Sequence, residues 1–231
     1  MTEIGANIQQ IRNDIVNTCI KVGRKPEEIK LIAVTKTIDV DRMNEVVSYN
    51  IKDVGENRVQ EIQEKFDMVS GVNWHMIGHL QTNKVKYIID KVKLIHSLDR
   101  LSLATEINSR AKQNNLQMEA LIQVNVARED TKYGLDVKNV HDFIKKIVEL
   151  NHVKIKGLMT IAPYTQNPEE VRKYFRELKN LFEEIRIKNY AGVEMEYLSM
   201  GMTNDYNIAI EEGSNVIRVG TAVFGKRIYE I

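Results

Sequence analysis

Candidate strand segments, each followed by a stretch with helical spacing, recur eight times along the chain, at residues 31–34, 53–55, 74–77, 93–96, 119–126, 154–158, 196–198 and 216–219. The run Leu31-Ile32-Ala33-Val34 is apolar throughout, the pattern of a parallel strand covered on both faces. Between the runs, apolar residues step by three and four, as in Leu101, Ala104, Ile107 and Ala111, or Phe175, Leu178, Phe182 and Ile185. That spacing is the stripe of an amphipathic helix. Helices are expected likewise over 39–49 and around Val85, Ile88 and Ile89. Strict alternation of strand and helix with short connections calls for a parallel sheet. Eight such units in 231 residues, near the ~250 typical of the class, predict a closed (β/α)8 TIM barrel. One extra helix is expected ahead of it, because Ile4, Ile8, Ile11, Ile15, Cys19 and Val22 form a stripe that ends at Gly23, a natural C-cap. An open doubly wound sheet is the alternative. Its dinucleotide-binding form carries GxGxxG in the first βα turn, where this chain reads Thr35-Lys36-Thr37.

Composition removes several function classes. With 33 Lys plus Arg against 32 Asp plus Glu the net charge is +1, so neither a nucleic acid nor a polybasic membrane contact is an expected partner. At 43% hydrophobic and 28% charged the chain can bury a sizeable core. No run reaches the ~18 consecutive apolar residues of a bilayer span, and the first ten residues lack the apolar region of a secretory signal; a cytoplasmic protein is expected. No Pro/Gly-rich linker divides the sequence, so residues 1–231 are read as a single domain. The lone Cys19 allows no internal disulfide, and His75, His79, His96, His141 and His152 show no metal-ligand spacing. No metal site is expected.

In a barrel of this kind chemistry gathers at the C-terminal ends of the strands. Lys36 stands at the end of the first, in line with Ile32 and Val34, so its amine is expected to reach into the barrel mouth. Two readings of it stand. One is a desolvated amine held below its reference pKa of about 10.4, suited to forming a Schiff base; the other is a solvated charge that ends the strand. After the seventh strand the chain reads Ser199-Met200-Gly201-Met202-Thr203-Asn204, and Arg218-Val219-Gly220-Thr221 closes the eighth. Loops after strands seven and eight are the common phosphate cradle of this architecture, where small residues let backbone N–H groups approach an anion. Singly each also suits an ordinary tight turn; together they point to an anion site. Asn57, after strand two, can donate to a ligand or cap the following helix. His79, after strand three, can stack on a planar ligand, exchange a proton, or serve as a loop residue. Trp74 and Met159 read as core or pocket wall.

The strings LIAVTK at 31–36, VGENRVQE at 54–61, WHMIGHLQTNK at 74–84, HSLD at 96–99, LIQVNVAREDTKYG at 121–134, KGLMTIAP at 156–163 and LSMGMTNDYNIAIEEGSNVIRVGTAVFG at 198–225 resemble the pyridoxal phosphate homeostasis proteins. That family is related to the N-terminal barrel of alanine racemase, and the match covers essentially the whole chain. Two departures are small: Thr35 where serine is frequent, and His79 where many members have proline. The resemblance implies that Lys36 holds pyridoxal 5′-phosphate (PLP) as an internal aldimine. It implies also that Ser199, Gly220 and Thr221 hold the phosphate, that Arg218 faces the pyridine nitrogen, and that Asn57 lies near the ring. The implied role is intracellular vitamin B6 homeostasis, buffering PLP or delivering it to apo PLP-dependent enzymes. Arg218 sharpens this, because a guanidinium stays protonated and cannot protonate the ring, which leaves a poor electron sink. Alanine racemase tolerates such a ring partner but adds a second base from another domain. This chain ends soon after Gly225, so that domain is not expected, and only Tyr133, Tyr164 or His79 stand as substitutes. No catalytic residue is therefore assigned. A low-activity amino-acid racemase and a cofactor-free Schiff-base aldolase using Lys36 remain as alternatives. Without the racemase's intersubunit site, a monomer or weak dimer is expected.

Overall fold

A computed structural model describes residues 2–129 and 131–225. Eight strands, β1 (Lys30–Val34), β2 (Asp53–Glu56), β3 (Asn73–Met76), β4 (Val92–Leu98), β5 (Met118–Gln123), β6 (Val153–Met159), β7 (Val193–Ser199) and β8 (Val216–Val219), close into a barrel in chain order. Neighbours run parallel, and β8 returns to β1 with Ile32 opposite Arg218. The helices on the outside are α1 (Glu3–Val22), α2 (Val40–Ser48), α3 (Val59–Lys65), α4 (Leu101–Gln113), α5 (Val140–Ile147), α6 (Arg172–Lys188), α7 (Tyr206–Glu211) and α8 (Thr221–Phe224). This is the TIM barrel with an additional N-terminal helix that the alternation predicts.

Period-two alternation sorts each strand's side chains into two layers. Ala33, Val54, Trp74, Ile95, Ala120, Leu158 and Val219 point outward into one continuous core beneath the helices. Inside, Leu94, Leu121 and Met159 pack together with Tyr197. The inner layer is not all apolar: His75, His96, Ser199 and Arg218 are buried there too.

Helix α1 buries Ile4, Ile8, Ile11, Ile15 and Cys19, while Val22 of the expected stripe lies at the surface. Gly23 ends it at φ 70°, and Arg24 N–H donates to the Cys19 carbonyl at 2.9 Å, the left-handed cap that glycine favours. Two expectations need correction. Val85, Ile88 and Ile89 are buried, but their segment is a 3-10 helix, Thr82–Tyr87, followed by turns; so short a connection gives a three-residue repeat no room to relax into α-helical turns. Strand β5 stops at Gln123 instead of running to 126. Val124 and Val126 stay buried, but Asn125 Nδ2 donates to the Glu129 carbonyl at 2.9 Å and pulls the chain into a turn.

Candidate functional site

At the C-terminal end of the barrel a cavity of about 810 Å³ opens between the ends of β1, β6, β7 and β8. Lys36, Thr203, Asp205, Arg218, Gly220 and Thr221 line its polar side, and Ile161, Ala162 and Tyr164 its apolar wall.

Lys36 sits half-buried in the turn that follows β1. That turn is held from behind. Thr37 takes φ 61°, a conformation unusual for a residue with a branched side chain, and its N–H donates to Glu61 Oε2 at 2.6 Å. Thr35 Oγ1 donates to Glu56 Oε1 at 2.7 Å. Lys65 Nζ, reaching over from the end of α3, donates to the Thr35 carbonyl at 3.0 Å, to Glu56 Oε1 at 2.9 Å and to Glu61 Oε2 at 2.8 Å. Burial raises the Glu56 carboxyl, against the opposing pull of Lys65.

In the same cavity, on the neighbouring strand β8, Arg218 is 3% exposed. Its two terminal nitrogens donate to Ser199 Oγ at 2.6 Å and to the Thr160 carbonyl at 2.8 Å, and a guanidinium has further N–H donors to offer. Burial lowers Arg218 to about 10, with Asp205 opposing, so the group is cationic at neutral pH. Asp205 itself is raised by burial; its Oδ1 accepts the Met202 N–H at 2.6 Å. Thr203 Oγ1 accepts the Ala222 N–H at 3.3 Å, tying the loop after β7 to the start of α8. Below Arg218 the polar contacts continue: Ser199 Oγ to His96 Nδ1 at 3.1 Å, His96 Nε2 to His75 Nδ1 at 3.1 Å, and His75 Nε2 to Asp53 Oδ1 at 2.9 Å.

Of the residues read from the sequence, Lys36, Arg218, Gly220 and Thr221 come together in this one cavity. Ser199 lies under it, fully buried and engaged by Arg218 and His96. Asn57 and His79 line a neighbouring cleft of about 910 Å³ beside α3. His79 stacks there on Tyr133 with ring centroids 3.7 Å apart and planes 16° from parallel. Burial lowers His79, with Asp99 opposing. Tyr164 stands at the cavity rim, 83% exposed. Sequence reading had Thr203 in the loop it singled out after the seventh strand but missed Asp205, the next residue beyond that loop, and His75 and His96, for which inward alternation along β3 and β4 was the available signal. Among the described residues no cluster of His, Cys, Asp and Glu could hold a metal ion, and no helix is long and apolar enough to cross a membrane.

An amine and a guanidinium lining one cavity, together with two threonines, a glycine and apolar side chains, suit a planar anion that carries a carbonyl. Residues 5–228 match the family model described as alanine racemase, N-terminal domain. The pyridoxal phosphate homeostasis protein of Aquifex aeolicus is 44% identical over 224 residues, covering 96% of this chain and 97% of its own. This chain belongs to the pyridoxal phosphate homeostasis proteins. The Escherichia coli member of that family is 33% identical over 239 residues, 99% of each chain. Among solved structures, PipY of Synechococcus elongatus with PLP bound superposes with a TM-score of 0.83 at 28% identity, over 96% of this chain and 100% of that one.

Proposed function

We propose that this protein binds PLP in the cavity at the barrel mouth and serves intracellular PLP homeostasis, with Lys36 as the covalent anchor through a Schiff base and with buffering or delivery of the cofactor as its task. The observation that carries the reading is the convergence of Lys36, Arg218, Gly220 and Thr221 on one cavity. The family membership and the PLP-bound relative support it.

Bound PLP supplies an electrophilic aldehyde and an aromatic ring that can draw electrons from an attached amine. Everything else falls to the chain's own residues. The turn after β1 keeps Lys36 at the mouth, held in place by the bonds that Thr35 and Thr37 donate to Glu56 and Glu61 and that Lys65 donates to the Thr35 carbonyl. Gly220, Thr221 and Thr203 form the polar end suited to the phosphate, and Ser199 contributes from beneath by carrying Arg218. Arg218 answers the ring nitrogen. Held cationic, it has no proton to release at neutral pH, so it does not create the protonated ring that amino-acid chemistry exploits. That is the character of a holder more than of a transaminase. Ala162 and Ile161 supply apolar lining to the cavity, with Tyr164 at the rim.

The test is an absorbance spectrum of the purified protein before and after borohydride, with peptide mass mapping. A yellow protein, bleached on reduction and carrying a pyridoxyl mass on Lys36, is expected, and Lys36→Ala should carry none. Bound PLP should also pass to an apo PLP-dependent enzyme faster than it escapes into buffer. A colourless protein that binds no added PLP overturns the reading. Racemisation of an amino acid that disappears in Lys36→Ala would replace the holding role with a catalytic one.

A further inference from the structure

The barrel interior contains more polar atoms than a holder of Arg218 strictly needs, and they fall in a line. Asp53 near the base of β2, His75 on β3, His96 on β4, Ser199 on β7 and Arg218 on β8 are linked by successive bonds of 2.9, 3.1, 3.1 and 2.6 Å. His75, His96 and Ser199 are 1%, 0% and 0% exposed. We propose that Asp53, His75, His96 and Ser199 are positioning residues for Arg218, forming a one-way hydrogen-bond chain through the barrel that fixes the guanidinium toward the ligand ring.

The direction follows from the two ends. Arg218 has donors only, so the Ser199 oxygen must accept from it. The Ser199 proton is then spent on the atom it faces, His96 Nδ1, which must be unprotonated. A neutral His96 therefore carries its proton on Nε2 and donates to His75 Nδ1. By the same logic His75 carries its proton on Nε2 and donates to Asp53 Oδ1, an acceptor-only carboxylate that also takes a bond from Asn73 Nδ2 at 3.2 Å and has Lys30 Nζ at 3.8 Å. Each atom has one assignment and none is left over. Reversing any link puts two donors or two lone pairs face to face in a dry interior, where an unmet polar group is costly. Burial favours the neutral form of both rings, as the chain requires. The same chain leaves Arg218 no freedom to turn, since its second terminal nitrogen is fixed on the Thr160 carbonyl.

The proposal rests on PLP being the ligand, and the test separates the two claims. In the ligand-free protein, nitrogen-15 NMR of the imidazoles should show both His75 and His96 neutral with the proton on Nε2; a ring protonated on Nδ1 overturns the assignment. PLP affinity and the pH profile of its absorbance then compare His96→Leu with His96→Gln. Leucine cuts the chain. Glutamine restores one acceptor and one donor. His96→Leu should bind PLP at least about tenfold more weakly with a displaced pH profile, and His96→Gln should recover most of both. Should His96→Leu fail to fold, Ser199→Ala cuts the chain one step nearer to Arg218 and carries the same expectation. If the wild type binds PLP while the cut variants keep its affinity and spectrum, the positioning role is overturned and the PLP reading stands. A wild type that binds no PLP overturns both.

Discussion

Lys65 donates to three oxygens from two directions: the Thr35 carbonyl beneath the Lys36 turn, and the carboxylates of Glu56 and Glu61. Glu56 is fully buried, and removing one partner of a buried pair leaves the other as an uncompensated charge. Lys65→Met is therefore expected to destabilise the fold by about 3–5 kcal/mol, read from urea unfolding. The effect has a pH sign. A carboxyl whose folded pKa is raised above its unfolded value takes up protons on folding, so its contribution is present below the unfolded pKa and is lost as pH rises through the folded one. Burial already raises Glu56 and Lys65 is the group that opposes it, so the variant should be least impaired near pH 5 and most impaired near pH 8. Equal loss at both would mean that the pair is not the cause. Lys36 itself was legible because a lone lysine at the end of an apolar strand is conspicuous. Lys65 was not, because it closes a helix of ordinary charged residues and two of its three partners, Thr35 and Glu56, come from other segments that only the fold brings near.

Among the elements, those with their own end signals were read best. Helix α1 declared itself by isoleucines at steps of three and four and by Gly23; in α2 the structure shows an end signal of the same kind, Asp39, whose Oδ1 accepts the Arg42 N–H at 2.9 Å. Where local pattern and tertiary demand part company, the reading failed: the apolar spacing around Val85 is met by a 3-10 turn, and the alternation past Gln123 continues under a loop. Strand β6 contains a position of the same kind that composition alone does not expose. Gly157 takes φ +144°, and a Cβ built there would lie 1.8 Å from the Tyr197 carbonyl oxygen on β7, next to a register shift between Ile155 and Gly157. Backbone cannot move aside as a flexible side chain can, so Gly157→Ala should open the β6–β7 seam. The expected loss exceeds about 4 kcal/mol, seen as insoluble expression or a collapsed melting temperature by circular dichroism. A soluble variant melting with the wild type would show that the strands part without cost.

Across the whole molecule, closure creates what no segment contains. His75 and His96 stand 21 residues apart and Ser199 another 103 beyond; alternation says that each faces inward, but only closure of the sheet brings Ser199 on β7 within reach of His96 on β4 and so joins Arg218 to the line. That buried pair should govern how stability responds to acid. Burial lowers both imidazoles below 6.5, with Lys30 acting on both, Lys93 on His75 and Arg218 on His96 in the same direction, while Asp53 opposes at His75. Below pH 6.5 the unfolded chain therefore binds protons that the folded one refuses. Stability is full above the unfolded value and falls as pH drops toward the folded values, by up to about 1.4 kcal/mol per pH unit for each ring. His96→Gln keeps an acceptor and a donor in the line but cannot titrate. Its unfolding free energy from urea titrations should fall less steeply between pH 6.5 and 5 than the wild type's, by up to about 1.4 kcal/mol per pH unit, with the two curves parallel above pH 7. Groups remote from the line act equally on both proteins, so the difference in slope reports His96 together with His75, the titrating ring bonded to it. Identical slopes would mean that His96 is protonated inside the barrel, which its place between Ser199 and His75 does not allow.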